Sequence, residues 1–389
     1  MRPSPFGLQR TIMDKFDVIV VGLGTMGAAS ALTLADRGQK VLGLDAHHPP
    51  HAFGSHHGES RIIRKAYYED PSYVPLIERS YRLWTALEAR AKASLMTRTG
   101  GLMIGRPESG LVSGALQSAR QHQLQHTVLS QQAMRDRFPV FQLDAEMVAV
   151  LEPDAGILYP EQCVQTLLDL ATARGATLRY GEAVRSWQST SDGVSVVTEQ
   201  ATYRAEKLVL VPGPWLGELA PALQSKLTIE RQVVLHVEPH AQAPLFRADK
   251  LPIFCLEEAD GNFFYGIPDL GSGLKVGQHY AGPKHTRVDT VDRTVHPRDV
   301  DLVRAYLAHR MPGANGTLLS SLVCLYTDTP DLHFAIDHYP SHDNVVVASV
   351  CSGHGFKFAP VIGEVIGDLI AGNRPAFDLS LFNADRLLA

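Results

Sequence analysis

The chain has 389 residues, 45% of them apolar and 20% charged, with a formal net charge of −5. This is the composition of a globular enzyme with one large or two closely linked domains, and it excludes a disordered or fibrous protein. The acidic balance without a long basic run excludes a nucleic-acid binder, and no segment approaches the ~18 apolar residues of a membrane span. Cys163, Cys255, Cys324 and Cys351 form no CxxC pair. Neither a metal site nor a disulfide framework is therefore expected, and the compartment reads as reducing and cytoplasmic.

In chain order, Met1 to Asp14 holds no apolar run long enough for a signal peptide and reads as a flexible extension. "FDVIVVGLGTMGAASALTLADRGQKVLGLDAHHPP" follows, from Phe16 to Pro50. Asp17 to Val21 is a buried strand by its apolar, β-branched run. Gly22, Gly24 and Gly27 form GxGxxG, a helix turns Ala28 and Ala29 towards the sheet, and Gly38 can end it. A second strand, "KVLGLD", closes on Asp45. The pattern suits a dinucleotide: glycines let the backbone approach a pyrophosphate at a helix N-terminus, and Asp45 can accept from a ribose hydroxyl. A lone GxGxxG is weak and could be a structural turn. Strand, glycines, helix, strand and terminal acid in register are specific.

"GSHHGESRIIR", Gly54 to Arg64, packs two histidines and two arginines around one carboxylate, Glu59. In isolation a solvated basic turn explains it as well as a built site does. "VPLIERSYRLWTALEARA" has helical spacing, with Trp84 and Leu87 as core residues. Gly100 and Gly101 mark a turn into a strand, and "PEQCVQTLLDLATARGATLRYGEAV" reads as helix, break at Gly175, then strand. "SVVTEQATYRAEKLVLVPGPW" reads as a hairpin and a buried strand ending at Gly213 and Trp215. From Lys226 to about Val323 the pattern is strand-rich, which implies an antiparallel sheet in a substrate domain. "NVVVASVCSGHGFKFAPVIGEVIGDLI" returns to strand, glycine turn and helix. The dinucleotide domain is therefore discontinuous, over 15–95, 155–225 and 325–389. The substrate domain takes 96–154 and 226–324, and 1–14 is the extension.

"GSHHGESRIIR", "YGIPDLGSGLKVGQH", "CLYTDTPDLHFAID" and "SGHGFKF", in this order behind the GxGxxG, resemble the family of monomeric sarcosine oxidase and N-methyl-L-tryptophan oxidase. "DAHHPPH" looks closer to the N-methyltryptophan branch. The resemblance implies an α/β chain, α+β overall, with an FAD-binding domain of the glutathione-reductase type. Its second domain is built on a large antiparallel sheet. It further implies a monomer that oxidises N-methyl amino acids with oxygen. Gly58-Glu59-Ser60-Arg61 stands where the family usually has GDTR, Lys65 where His is common, and "YYED" where a glycine-rich stretch follows. These departures leave the charged residues in place.

Oxidising an amine by hydride transfer puts negative charge on the flavin, and an amino-acid substrate adds a carboxylate; both need fixed positive charge. By resemblance, Arg64 and Lys357 hold the substrate carboxylate, while Arg61 and His57 lie against the flavin and His56 is a structural neighbour. Cys324 matches the cysteine that carries FAD covalently, as a thioether to the 8-methyl group. Cys163, Cys255 and Cys351 keep the reading of inert small hydrophobes. Lys275 corresponds to the lysine near flavin N5 that activates oxygen. Tyr265, His279 and Tyr326 line the substrate cavity by resemblance; buried core aromatics are the plain alternative for the two tyrosines. Gly353, Gly355 and Phe356 offer backbone N–H groups to the flavin pyrimidine carbonyls, ahead of a helix near Pro360. The competing functions are a flavin dehydrogenase feeding a quinone or partner subunit, and a non-catalytic or NAD-binding dinucleotide protein. A cyclic imino acid such as pipecolate fits the charged site as well as an N-methyl amino acid.

Overall fold

The computed structural model describes residues 10–388. The strand Arg10–Val21 runs parallel to Val41–Leu44 on one side and Ala201–Leu210 on the other. Val18, Ile19 and Val20 are fully buried, as a parallel strand covered on both faces requires. The strand begins earlier than its sequence suggested. Arg10 and Thr11 pair with Ala201 and Thr202, so residues 10–14 belong to the sheet and not to an extension; residues 1–9 lie outside the described residues. The sheet has eight strands, including the hairpins Val184–Thr190 with Gly193–Thr198 and Ala335–Tyr339 with His342–Ser349.

The helix Thr25–Asp36 packs beside Pro160–Ala173 and Ala359–Ile370 over this sheet. The crossing with the last helix is tight: a Cβ on Gly363 would lie 2.8 Å from the Ala29 carbonyl oxygen. Trp84, on the helix Tyr73–Ala91, is fully buried in the same core.

The second sheet has nine strands and is mainly antiparallel, apart from Ile253–Glu257, which runs parallel to Gly101–Gly105. Its core is Leu102, Leu235, Phe254 and Val276 with residues of the helix Pro297–Arg310. Strand-dominated sequence gave no hint of that helix. The expected boundary at 324/325 also falls inside one strand, Leu318–Asp328. A small sheet of Arg61–Ile63, Gly156–Leu158 and Met96–Arg98 joins the two layers and carries Arg61 at its start.

On the long pair Thr228–Val237 and Leu318–Asp328, Glu230 faces Tyr326 and Thr228 faces Asp328. Glu230, Tyr326 and Asp328 thus share one face. Glu230 Oε2 and both Asp328 carboxylate oxygens are buried with no donor group beside them, so a proton held between the two carboxyls is what bonds them. Burial, then the Glu230 charge, pushes the Asp328 carboxyl up to about 8, against a smaller opposing pull from Lys284. The folded chain therefore keeps a proton that the unfolded chain releases from its ordinary carboxylate range upward. Stability falls as pH rises from about 4 through about 8 and levels off above. Asp328→Asn, with the same shape and no charge, should raise the melting temperature clearly at about pH 8.5 and much less at about pH 5. Thermal unfolding across that range checks it, and a shift independent of pH would contradict it.

Candidate active site

A cavity of about 390 Å³ is lined by residues of both sheets, among them Gly22, Asp45, Arg61, Lys275, Cys324 and Lys357. At the glycine turn, Gly22 has φ +90°, and a Cβ there would sit 2.6 Å from the Pro212 Cα. A Cβ on Gly27 would overlap the Gly22 carbonyl oxygen at 1.7 Å. Only glycine allows this turn and this approach of helix to strand. Gly24 lines the cavity and is the N-cap of Thr25–Asp36, with no side chain closing the helix end. The free N–H groups there suit a pyrophosphate. Asp45 accepts from the backbone N–H of Leu23 at 2.7 Å and of His47 at 2.8 Å, which fixes the carboxylate and leaves each oxygen one further lone pair. The cradle fits FAD: an open helix end, a glycine turn with no room for a side chain, and an oriented acid on the next strand.

The stretch from Ser55 to Arg61 is wrapped around two cations. Lys275 Nζ donates to the carbonyls of Gly58 at 2.6 Å and Ser60 at 2.8 Å, and to Ser60 Oγ at 3.2 Å. Arg61 donates to the carbonyls of Ser60, Ser55 and His57. Glu59 bulges outward with φ +65°, so that its neighbours' carbonyls point inward. Glu161 Oε1 anchors the turn by accepting from the N–H groups of Gly58 and Glu59 at 2.7 and 3.2 Å. Burial and then the Arg61 charge lower Lys275 to about 7, although Cys324, Glu161 and Glu59 pull the other way.

Cys324 Sγ lies 3.8 Å from Arg61 Nη2 and 3.9 Å from His57 Nε2. Burial alone would raise this thiol. The His57 hydrogen bond and the charges of Arg61, His57 and Lys275 outweigh it and bring the thiol down to about 7. Burial leaves Cys163 raised well above the thiol range and Cys255 raised to about 11. The sequence placed His57 against the flavin and His56 behind it. In the structure His56 lines the cavity, while His57 bonds the Val323 carbonyl at 3.0 Å behind Cys324, outside the lining.

At the substrate end, Arg64 is almost fully buried, and its Nη2 bonds both oxygens of Glu69 at 2.8 and 2.7 Å. Burial would raise Glu69, but Arg64 overrides it and holds the carboxyl at about 2. Lys357 Nζ donates to the His354 carbonyl at 2.7 Å and to the Tyr67 hydroxyl at 3.3 Å. Burial, then Arg64, lowers Lys357 to about 7. Trp84 Nε1 and Ser80 Oγ both donate to the Lys357 carbonyl, so the tryptophan read as core also fixes the backbone of this lysine. His279 Nδ1 meets the Tyr326 hydroxyl at 3.0 Å. Burial lowers His279 to about 3 and raises Tyr265 and Tyr326 above the tyrosine range, so all three are neutral at pH 7. Gly353, at φ +74°, packs where a Cβ would press on the rings of His279 and Tyr326 at 2.6 and 2.7 Å. Gly355 and Phe356 complete this wall.

Sequence reasoning missed Glu69, Glu161 and Tyr68. Glu69 follows Arg64 by five residues in a stretch noted only as a departure. A carboxylate so near a cluster of cations was the available signal. Glu161, remote in sequence, offered none. Among the described residues no group of three or more potential metal ligands forms, and no helix is long and apolar enough to cross a membrane.

Residues 17–369 match the DAO family, FAD dependent oxidoreductases. The chain is 42% identical over 378 residues to a monomeric sarcosine oxidase of Streptomyces avermitilis, covering 96% of this chain and 98% of that one. It is 34% identical over 373 residues to an N-methyl-L-tryptophan oxidase of Citrobacter koseri, covering 96% and 99%. The identities thus run opposite to the branch suggested by "DAHHPPH". Among solved structures, the open form of NikD, an unusual amino acid oxidase essential for nikkomycin biosynthesis, superposes with a TM-score of 0.85 at 26% identity, covering 95% of this chain and 98% of that chain. With the cradle, the buried cations and these likenesses together, the chain belongs to the DAO family of FAD dependent oxidoreductases and is an FAD-dependent amino-acid oxidase.

Proposed function

We propose that the enzyme oxidises N-methyl or other secondary amino acids, giving an imine and hydrogen peroxide, with formaldehyde following from N-methyl substrates. The observation that carries this reading is the buried pair Arg64 and Lys357 opening on a cavity beside the neutral side chains His279, Tyr265 and Tyr326. Such a pair grips a carboxylate, and the positive potential of Arg61 and Lys275 at the other end of the cavity disfavours an ammonium. The substrate amine is thereby held neutral, the form that can release hydride. Bound FAD would take up the hydride and return the electrons to oxygen. Gly22, Gly24, Gly27 and Asp45 would hold its dinucleotide part, and Gly353, Gly355 and Phe356 its ring end. Arg61 would supply positive charge beside the ring. A cyclic imino acid such as pipecolate meets the same anchors. The working unit is a monomer, and oxygen is the electron acceptor.

Cys324 is the proposed attachment point of the flavin, because a thiol near 7 is substantially thiolate at neutral pH and thiolate is the nucleophile. Acid-precipitated wild-type protein should stay yellow and Cys324→Ser should not. A colourless wild-type pellet would remove the assignment.

Carboxylate binding should depend on pH through Lys357. Below about 7 the lysine is charged and binding is at its plateau; above it, affinity for acetate should fall by up to about tenfold per pH unit. Lys357→Met should weaken acetate by about tenfold or more, since a charge-assisted bond is worth roughly 1.5–3 kcal/mol, and should flatten the profile. Titrating the flavin absorbance with acetate reads both effects.

Lys275 is the proposed oxygen-activating cation. A unit charge ~4 Å from superoxide, at an effective dielectric of ~20, is worth about 4 kcal/mol as an upper figure, or about three decades of rate. Lys275→Met should slow reoxidation by oxygen by about two decades or more, with a smaller effect on anaerobic reduction by substrate. Wild-type reoxidation should also slow as pH rises and the lysine loses its charge, by about pH 7 because burial lowers it and a sulfur bonded to flavin no longer supports the cation. Stopped-flow measurement of the two half-reactions separates them, and a variant reoxidising at the wild-type rate would return Lys275 to a packing role.

A further inference from the structure

The guanidinium carbon of Arg64 lies 4.2 Å from the centre of the Tyr67 ring and 4.5 Å from that of Tyr68. Nη1 donates to the Ala66 carbonyl and Nη2 to Glu69, and of the two rings it is Tyr68 that lines the cavity, so a ligand approaches Arg64 past Tyr68. The Tyr68 ring meets Phe263 at 5.5 Å, Phe263 meets His279 at 5.2 Å, and His279 meets Tyr326 at 5.3 Å. Tyr68, Phe263, His279 and Tyr326 all line the cavity. A continuous band of rings therefore runs from the carboxylate anchor to the amine pocket.

This band has little freedom to retreat. Helix Gly110–Gln121 presses on the backbone of Tyr68: a Cβ on Gly114 would come within 2.3 Å of the Tyr68 carbonyl oxygen. Ser118 Oγ, on the same helix, donates to the Tyr67 carbonyl. Phe263 is paired on both sides, opposite Glu257 and opposite His279. Only side-chain rotation remains open to either ring.

We propose that Tyr68 and Phe263 are a size filter: they close the space beside the carboxylate anchor and restrict the enzyme to secondary amino acids with a small or absent α side chain. The inference rests on the anchoring of a carboxylate by Arg64 and Lys357. A carboxylate held there puts the α-carbon one bond away, so the α side chain starts against the ring band. A hydrogen or methyl passes. An indole, which must bury 150–250 Å² or so in a slot of its own, does not.

The test uses the flavin-loaded enzyme. Wild type should favour sarcosine over N-methyl-L-tryptophan in kcat/KM by about tenfold or more, and acetate should perturb the flavin absorbance at far lower concentration than indole-3-acetate. Tyr68→Ala and Phe263→Ala should each shift both ratios towards the bulky ligand by about tenfold, the kinetic change appearing in KM. Tyr68→Phe, which keeps the ring, should keep the wild-type ratios; this separates a filter from a role of the hydroxyl. Should Tyr68→Ala fail to fold, Phe263→Ala carries the test. A wild type that prefers N-methyl-L-tryptophan, or ratios unmoved in the alanine variants, would overturn the filter alone. Acetate binding that is absent in wild type, or equally strong in Lys357→Met, would overturn the anchor and the filter with it.

Discussion

Four cations, Arg61, Arg64, Lys275 and Lys357, are withdrawn from water in the walls of one cavity, and the rest of the site follows from how they are kept there. A buried charge without partners costs several kcal/mol. Here the partners are of three kinds. Arg61 and Lys275 are held by backbone carbonyls of the Ser55–Ser60 turn, which supply negative potential without a net charge. Arg64 is matched by a full carboxylate, Glu69, and Lys357 by one carbonyl and one hydroxyl. The end of the cavity with Arg61 and Lys275 therefore stays strongly positive, while the Arg64 end is nearly neutral until a ligand arrives. The first condition suits charge developing on a ring; the second suits a ligand that brings its own anion.

The architecture explains why these groups meet. The first sheet delivers the glycine turn and Asp45 at the ends of its parallel strands, where a dinucleotide binds in such sheets. The second delivers Lys275, His279, Cys324 and Tyr326 from paired strands, whose alternation turns these side chains to one face. The short strand Arg61–Ile63 belongs to neither and ties the cation turn between them. Rigid strands thus set the lysine and the thiol, and a strained turn at Glu59 brings the carbonyls to the cations.

How far this could be read from the residues depended on the range of the interaction. The strand, glycine turn, helix and Asp45 are contiguous, and their steric logic is local, so they were legible. The strand-rich stretch from Lys226 pointed to an antiparallel sheet, and strands from Thr228 to Asp328 make up most of the second sheet. The helix Pro297–Arg310 was not legible, because its apolar pattern is weak and its partners are remote in sequence: the sheet core against Val303, Tyr306 and Leu307, and Asp144 and Glu258, which pair with Arg310. His56 and His57 show the same limit: the motif names both, and only the fold puts His56 in the cavity wall beside Gly24 and His57 against Val323 and Cys324. Glu69 was in view and unread, since a cation cluster implies a counter-charge only once burial is known.

The thiol and the lysine also constrain each other. The thiolate of Cys324 raises Lys275, and Lys275 lowers Cys324, so each ion favours the other. In the proposed thioether the sulfur carries no charge, and that support for the Lys275 cation is gone. The carbonyls of Gly58 and Ser60 remain, and they stabilise the ammonium without neutralising it. The lysine then has unbalanced charge to offer, and an anion forming nearby is what would complete it. The arrangement first favours a nucleophile at Cys324 and, once that sulfur is bonded, leaves its positive potential available for electron transfer to oxygen.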